Sequence, residues 1–541
     1  MNVLLMYRDR DFAFGGDSGP TDTAVVPRLR DPVLALRENL SANQASLVQD
    51  MELETLLEAM AGGDLFLFQV AWKAILGSLD DPGTIRYRQR VLADCLEHPA
   101  VVRELYAIAL EAIEREKHFW TARYTLHPQS SLDRSVSVLE MFLSQLRGLR
   151  NIADEHGAGF QSEAFRRFFD MVASELDDAY LRTVEDHLRR LRFGNGLPLS
   201  AKLGVLSRET QYVLRRPHDG RRRWRERIGL WDRAGHTYQV SELDRAGLEA
   251  LGELKGMGIA PAASALAQST DHILGFFKQL RAELGFYLGC LNLHDRLVPK
   301  GAMTCFPDPE PAGQAILSAQ GLYDIPLSLS LAARVVGNDL CADDSLLVMI
   351  TGANGGGKST FLRSLGLAQL MMQSGMFVAA ESFRADVRHG IFTHFKREED
   401  ATLRQGKLDE ELSRMSSIID GVTPNSLVLF NESFASTNER EGSEIARQIV
   451  RALLATGIKV VFVTHMFDLA QGFSRQALSG ALYLRAERLA DGRRTFRLAE
   501  GEPLPTSYGE DIYRRIFAAP DTSPANAERS SPADRRPTLR T

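Results

Sequence analysis

Thr351-Gly352-Ala353-Asn354-Gly355-Gly356-Gly357-Lys358-Ser359-Thr360 follows the apolar run Leu346-Leu347-Val348-Met349-Ile350 and leads into a helical segment, Phe361 to Gln373. A buried strand that enters a glycine-rich turn and leaves as a helix has the order of a phosphate-binding loop, Gly-x-x-x-x-Gly-Lys-Ser. Each position has a physical task. The glycines let backbone N–H groups approach phosphate, Lys358 reaches the β- and γ-phosphates, and the Ser359 hydroxyl ligates Mg²⁺. The start of the helix adds a partial positive charge. This stretch predicts that a nucleoside triphosphate binds over Gly352 to Thr360.

Downstream, strands and helices alternate as in an α/β sheet: Leu346 to Thr351, Phe377 to Phe383, Ser426 to Phe430 and Ile458 to Thr464 read as strands. Leu482 to Arg485 and Thr495 to Leu498 bracket Asp491-Gly492 and predict a hairpin. The run Ser426-Leu427-Val428-Leu429-Phe430 ends in Asn431-Glu432. At such a strand end, ATPases of this loop type hold the metal's water shell and polarise the attacking water. Glu432 is the candidate general base, and Asn431 is expected near Mg²⁺. Val461-Phe462-Val463-Thr464 ends in His465, a candidate γ-phosphate sensor. By itself His465 reads as a strand-end histidine; in order with the other two elements it reads as part of the site.

The chain has 541 residues, enough for three or four domains at about 150 residues each, so one nucleotide-binding domain does not account for it. With 44% hydrophobic and 25% charged residues it has a globular composition. A net charge of −6 argues against a uniformly basic nucleic-acid coat but leaves room for a local basic patch. Cys95, Cys290, Cys305 and Cys341 are too scattered for a metal site or a disulfide framework and read as ordinary buried thiols. The apolar start, Met1 to Tyr7, meets charges at once in Arg8 to Asp11, so neither a secretory signal nor a membrane span is expected. The expected location is cytoplasmic, or nucleoid-associated if DNA is the partner.

Residues 1–45 carry Gly, Pro and Asp clusters and read as a loosely ordered leader, with regular structure starting near Asp50. Residues 46–301 are helical in pattern: Leu53, Leu56, Leu57 and Met60 recur at helix spacing, as do Leu132, Val136, Leu139 and Leu143. The pattern breaks over an insertion at about 195–260 and resumes with Ile273, Phe277, Leu280 and Leu284. The insertion holds the densest positive cluster: Arg215, Arg216, Arg221, Arg222, Arg223, Trp224, Arg225 and Arg227. Arginines that pair with phosphates and a tryptophan that stacks on a base suit a DNA contact; a solvated charged loop suits the same residues. Residues 302–518 form the expected ATPase domain, and 519–541, rich in Pro, Ser, Ala and Arg, a disordered tail.

Ile350 to Thr360, Ser426 to Glu432 with Ser436-Thr437, and Val463 to Leu469 resemble the ATPase motifs of the MutS DNA mismatch-repair family. Asn338-Asp339, Phe377 to Ala380 and Ser507-Tyr508-Gly509 match further landmarks in the same order. The helical region is similar in layout to that family's core and lever helices, with the insertion in the place of its DNA clamp. The resemblance implies a multidomain chain, an all-α core and lever domain followed by an α/β P-loop (ABC-like) ATPase domain. It also implies ATP with Mg²⁺, a homodimer, mismatched or branched DNA as ligand, and other repair proteins as partners. Each nucleotide is then completed by a loop in trans, expected at Gly406 and Lys407, where the family usually has Ser-Thr. Asn431 stands where the family normally has Asp, which removes a charge from the Mg²⁺ environment and is expected to slow turnover. The family's mismatch-reading and connector domains are not seen in these residues. The alternative reading is a nucleotide-dependent switch or adaptor, weak as an ATPase, that grips a protein. A transport ATPase is disfavoured by the helical N-terminal half.

Overall fold

The computed structural model describes residues 1–14, 32–119, 128–193, 196–203, 209–215, 240–241, 244–331, 333–397, 406–476, 480–489 and 491–505. The first part of the chain is helical: α1 (Pro32–Glu38), α2 (Ala42–Asp50), α3 (Leu53–Ala61), α4 (Leu65–Leu76), α5 (Pro82–Glu97), α6 (Pro99–His118), α7 (Pro128–His156), α8 (Glu163–Glu175) and α9 (Asp178–Leu191). An antiparallel hairpin of β1 (Leu199–Leu203) and β2 (Glu209–Leu214) follows, and the chain returns through α10 (Arg245–Leu297). Local chemistry sets the helix starts. Asp64, Asp81, Ser162 and Asp177 each accept a first-turn N–H that a helix start leaves without a partner.

With 53 residues, α10 runs for about 80 Å at 1.5 Å per residue. Its second half is core: Phe277, Leu280, Leu284 and Tyr287 are fully buried against α3, α4, α6 and α7. Its first half extends outward beside α7, where Leu132, Ile259 and Ala263 make a small separate core. The β1–β2 hairpin sits on that outer segment, and a Cβ on Gly258 would collide with Leu199. The insertion is therefore smaller than the pattern predicts, because the helix restarts at Arg245 and carries Pro261 inside it. A proline removes one helical hydrogen bond. The buried neighbours Ile259 and Ala263 hold the helix through that position.

Of the loosely ordered leader expected over 1–45, residues 15–31 lie outside the described set, and the first 14 residues depart from that expectation. Val3, Leu5, Met6 and Phe12 are buried, and Glu283 of α10 accepts the backbone N–H groups of Leu5, Met6 and Phe12. Tyr287 donates to the Leu5 carbonyl at 2.6 Å and Arg88 Nε to the Met6 carbonyl at 2.9 Å. A segment without sheet partners thus finds its hydrogen bonds on side chains far along the chain. Regular structure begins at α1 and α2, earlier than expected.

The second part contains β3 (Asp308–Glu310), β4 (Leu317–Leu322), α11 (Ile325–Ser330), β5 (Asn338–Cys341), β6 (Leu347–Gly352), α12 (Lys358–Gln373), β7 (Ser382–Asp386) and β8 (Ile391–Phe395). It continues with α13 (Lys407–Gly421), β9 (Leu427–Asn431), α14 (Glu439–Ala455), β10 (Lys459–Val463), α15 (Phe467–Arg475), β11 (Ala481–Arg488) and β12 (Arg494–Glu500). The main sheet has the order β12-β11-β6-β10-β9-β8, parallel except for β12, which is antiparallel to β11. Strands covered on both faces are apolar throughout. Val348, Ile350, Leu429 and Val463 join the core shared with α12 and the helical part, whereas Met349, Val428, Phe430 and Phe462 face α14 and α15. A second sheet has the order β3-β7-β4-β5.

Two smaller expectations change. Phe377 to Ala380 is not a strand; Val378 makes one isolated bridge to Cys305, and the strand begins at Ser382. The apolar run reflects burial, not pairing, since Phe377, Val378, Ala379 and Ala380 all lie in the core. Of the four cysteines, Cys95 and Cys290 are buried but Cys341 is exposed, because β5 is an edge strand with alternating burial. Among the described residues no helix is long and apolar enough to cross a membrane.

Candidate functional site

The glycine-rich loop joins β6 to α12 at the end of the sheet. Gly352, Gly355 and Gly357 have φ of 110°, 67° and 90°, a region that side chains disfavour. Close packing adds a second requirement, since a Cβ on Gly352 would lie 2.8 Å from the Ala486 nitrogen and one on Gly356 2.8 Å from the Ala486 Cβ. Lys358 opens α12 and is buried; its Nζ turns back and donates to the carbonyls of Gly352 and Ala353, both at 3.1 Å. Burial pushes the Lys358 ammonium down to about 8, with Arg494 adding to the shift and Glu432 opposing it. Ser359 Oγ donates to Asn431 Oδ1 at 2.8 Å.

Glu432 follows β9 with φ of 54°, and its N–H donates to the Val463 carbonyl at 2.9 Å. A non-glycine residue in this region is held there by its surroundings. His465 Nε2 donates to Glu432 Oε1 at 2.7 Å. That hydrogen bond, helped by the charges of His465 and Lys358, outweighs burial and holds the Glu432 carboxyl below the usual range. The two residues expected at separate strand ends are thus one pair. Thr464 Oγ1 caps the following turn by accepting the Met466 N–H at 2.9 Å.

Behind Glu432 lies a buried group that the sequence reading missed. His394 meets Ser433 Oγ through Nδ1 at 2.7 Å and the Glu411 carbonyl through Nε2 at 2.9 Å. Burial pushes this imidazole down to about 4, so it is neutral. Ser436 Oγ donates to Glu411 Oε1 at 2.9 Å, tying α13 to the turn that carries Glu432. The signal for this group was a histidine inside the strand-like run Ile391-Phe392-Thr393-His394-Phe395.

Beside the loop opens a cavity of about 430 Å³, with Leu331, Val335, Val336 and Phe496 on its walls and Gly357 and Thr360 on the loop side. Its size and apolar lining suit a flat ring system. Phe496 has φ of 61° and is half exposed. Asn338 fixes the backbone that leaves it, donating to the Phe496 carbonyl at 3.1 Å and accepting the Leu498 N–H at 2.7 Å.

The remaining expected residues lie away from this centre. Gly406 caps α13 and Lys407 is its exposed first residue; residues 398–405 are outside the described set. Arg215 lies at the end of β2, exposed, with Nε donating to Ser200 Oγ at 2.8 Å. Arg216, Arg221, Arg222, Arg223, Trp224, Arg225 and Arg227 fall outside the described residues, as do Ser507-Tyr508-Gly509 and the expected tail over 519–541. Among the described residues no cluster of three or more His, Cys, Asp or Glu side chains forms a metal cage. For Mg²⁺ the neighbouring oxygens of Ser359 and Asn431 are hard donors of the right kind, and they suit an ion that takes most of its ligands from water and phosphate.

The model of the MutS2 N-terminal domain matches residues 80–299, and that of MutS domain V matches residues 348–527. Endonuclease MutS2 of Streptococcus uberis (strain ATCC BAA-854 / 0140J) is 34% identical over 208 residues, 38% of this chain and 26% of that protein. Endonuclease MutS2 of Listeria monocytogenes serotype 4a (strain HCC23) is 34% identical over 189 residues, 34% of this chain and 24% of the relative. Endonuclease MutS2 of Lactiplantibacillus plantarum (strain ATCC BAA-793 / NCIMB 8826 / WCFS1) is 34% identical over 187 residues, 34% of this chain and 23% of the relative. The matched stretch spans about a quarter of the length of these curated relatives.

Proposed function

We propose, from the premise that this chain belongs to the MutS family, that it is an ATP-dependent DNA-binding protein acting in DNA repair or recombination. ATP binding and hydrolysis are coupled in it to a clamp-like grip on mismatched or branched DNA. The observation that carries the nucleotide half of this reading is Lys358. A buried ammonium folded onto two loop carbonyls, beside three positive-φ glycines, is a cation waiting for phosphate.

The adenine ring enters the apolar cavity at Phe496, and the phosphates take the loop N–H groups of Gly355 to Thr360 and the Lys358 ammonium. Ser359 and Asn431 hold Mg²⁺, which neutralises phosphate charge when bound. Glu432, kept ionised by its hydrogen bond from His465, orients the attacking water and takes its proton. His465 acts through Glu432 as its positioning partner. Asn431 supplies an oxygen without a negative charge, so turnover is slow. Gly406 and Lys407 are offered to the nucleotide of a second copy, making the active form a homodimer.

The helical arm of α7 and α10 leads from the sheet to the β1–β2 hairpin, where Arg215 begins the basic cluster proposed as the DNA contact. A DNA ligand implies a place in the cytoplasm or on the nucleoid, and other repair proteins as partners. Nuclease action, named for the relatives, is not included, because only about a quarter of their length is shared. Asn431 favours one second reading, a slow nucleotide-dependent switch that grips a protein.

The test is ATP turnover by the full chain at low salt, alone and with plain, mismatched and branched duplexes. Phosphate contacts weaken steeply as salt rises, which dictates the condition. Stimulation by mismatched or branched DNA is the expected result. Turnover indifferent to all three, with no DNA retained, removes the DNA half and leaves the switch.

A further inference from the structure

Beyond closing the edge of the sheet, the hairpin of β11 and β12 supplies one wall of the nucleotide loop. Ala486 of β11 packs under Gly352 and Gly356, and Phe496 of β12 stands 3.6 Å from the place where a Cβ on Gly357 would be. Between them, Arg494 opens β12. Its Nε donates to the Asn354 carbonyl at 3.2 Å, and its Nη1 donates to the Gly492 carbonyl at 2.9 Å.

Three successive loop carbonyls, those of Gly352, Ala353 and Asn354, therefore accept hydrogen bonds from two cationic side chains. Lys358 covers the first two and Arg494 the third. Neutral carbonyls are the weaker acceptors; an ionised oxygen binds the same donors about twice as strongly. The two cations, held on adjacent carbonyls of one loop, also repel each other. An anion placed between them removes that repulsion and offers both a better acceptor.

The position of Arg494 is built into the fold. β12 is paired with β11 from Arg494 onward, and two residues further Phe496 keeps a left-handed backbone beside Asn338, which donates to the Phe496 carbonyl and accepts the Leu498 N–H. Such a conformation persists only where its surroundings enforce it. A guanidinium held at this point presents several N–H groups to phosphate oxygens.

We propose that Arg494 is a second phosphate-binding cation, supplied by the same subunit, which moves from the Asn354 carbonyl to the β- and γ-phosphate end of the bound nucleoside triphosphate. This rests on the nucleotide reading given above. Arg494 and Phe496 then hold the two ends of one ligand, phosphate and base, from a single strand.

The experiment is an equilibrium titration of the full chain with ATP, comparing wild type, Arg494→Ala, Arg494→Lys and Lys358→Ala. Losing a hydrogen bond to a charged group predicts an affinity about tenfold or more weaker for Arg494→Ala. Arg494→Lys keeps the charge without the forked N–H groups and is expected to fall between wild type and Arg494→Ala. An alanine variant that binds as well as wild type overturns the proposal. So does a lysine variant as weak as the alanine one, because that pattern belongs to a guanidinium that only pins the loop. Wild type and Lys358→Ala binding ATP equally, or neither binding it, brings down the nucleotide reading itself, an outcome distinct from either Arg494 result.

Discussion

The two ends of α12 are built for different purposes. At the start, Gly357 caps the helix without a side chain, and Lys358 and Arg494 donate to carbonyls of the glycine-rich loop. At the other end the helix is fastened to the helical part. Gln373 Nε2 donates to Ser78 Oγ at 2.9 Å and to the Leu79 carbonyl at 3.0 Å, and the Gln373 carbonyl accepts the Leu79 N–H at 2.8 Å. Arg88 Nη1 donates to the Ser374 carbonyl at 3.2 Å, and Gly375 passes so near that a Cβ there would collide with Arg88. Midway, Arg363 forks onto Asp324 at 2.7 and 2.8 Å and also bonds Glu52 at the head of α3. One end is left open for a ligand and the other is closed on neighbouring helices. Through 16 residues, or about 24 Å of helix, the loop end is thus joined to α5 and the N-terminal segment.

The largest expected effect breaks the open end. Lys358→Ala should remove tight ATP binding, by roughly a hundredfold or more if a charge-assisted contact of about 3 kcal/mol is lost, with thermal unfolding of the apo protein little changed. Unaltered affinity in an ATP titration refutes the assignment of this end. Breaking the closed end should do the opposite. Arg88 is buried, stacks over Tyr7 and Phe286, and bonds Met6 and Ser374. Arg88→Ala strands those carbonyls and the nearby Glu283, so denaturant unfolding should show a loss of about 3 kcal/mol while ATP affinity stays within a few-fold. An ATP defect matching that of Lys358→Ala, without loss of stability, dissolves the distinction between the ends.

The mildest test changes only protons. Because the Lys358 ammonium is pushed down to about 8 in the free protein and phosphate favours the charged form, ATP binding takes up a proton above that pH. ATP affinity is expected to fall as pH rises past about 8, by at most about tenfold per pH unit for one proton. Calorimetry in buffers of different ionisation heat measures the proton directly. Constant affinity between pH 7 and 9.5, a range chosen to span roughly the stated shift, shows that the ammonium is not depressed.

Much of the site was legible because its parts are short contiguous runs. An apolar strand, a glycine turn and a helix start at Leu347 to Lys358 follow from backbone sterics and local hydrogen bonding. The strand ends at Asn431 and Val463, and the Asp491-Gly492 turn between β11 and β12, were equally local. The errors came where distant residues decided. Gly and Pro clusters made residues 1–45 look loose, yet the first 14 are fixed by Glu283 and Tyr287 of α10. The pattern suggested an insertion up to about residue 260, yet the helix restarts at Arg245 and runs on through Pro261 with Ile259 and Ala263 buried beside it.

By itself, the sequence determined the strand–loop–helix unit at Gly352 to Thr360, the acidic strand end at Glu432 and the division into a helical part and an α/β part. Those features depend on periodicity and on neighbours within a few residues. The tertiary structure alone decided that His465 bonds Glu432, that Asn338 clasps Phe496 beside the cavity, and that Arg494 reaches Asn354. These are contacts between elements far apart in the chain, and their distances are set by how the sheet closes and what it packs against.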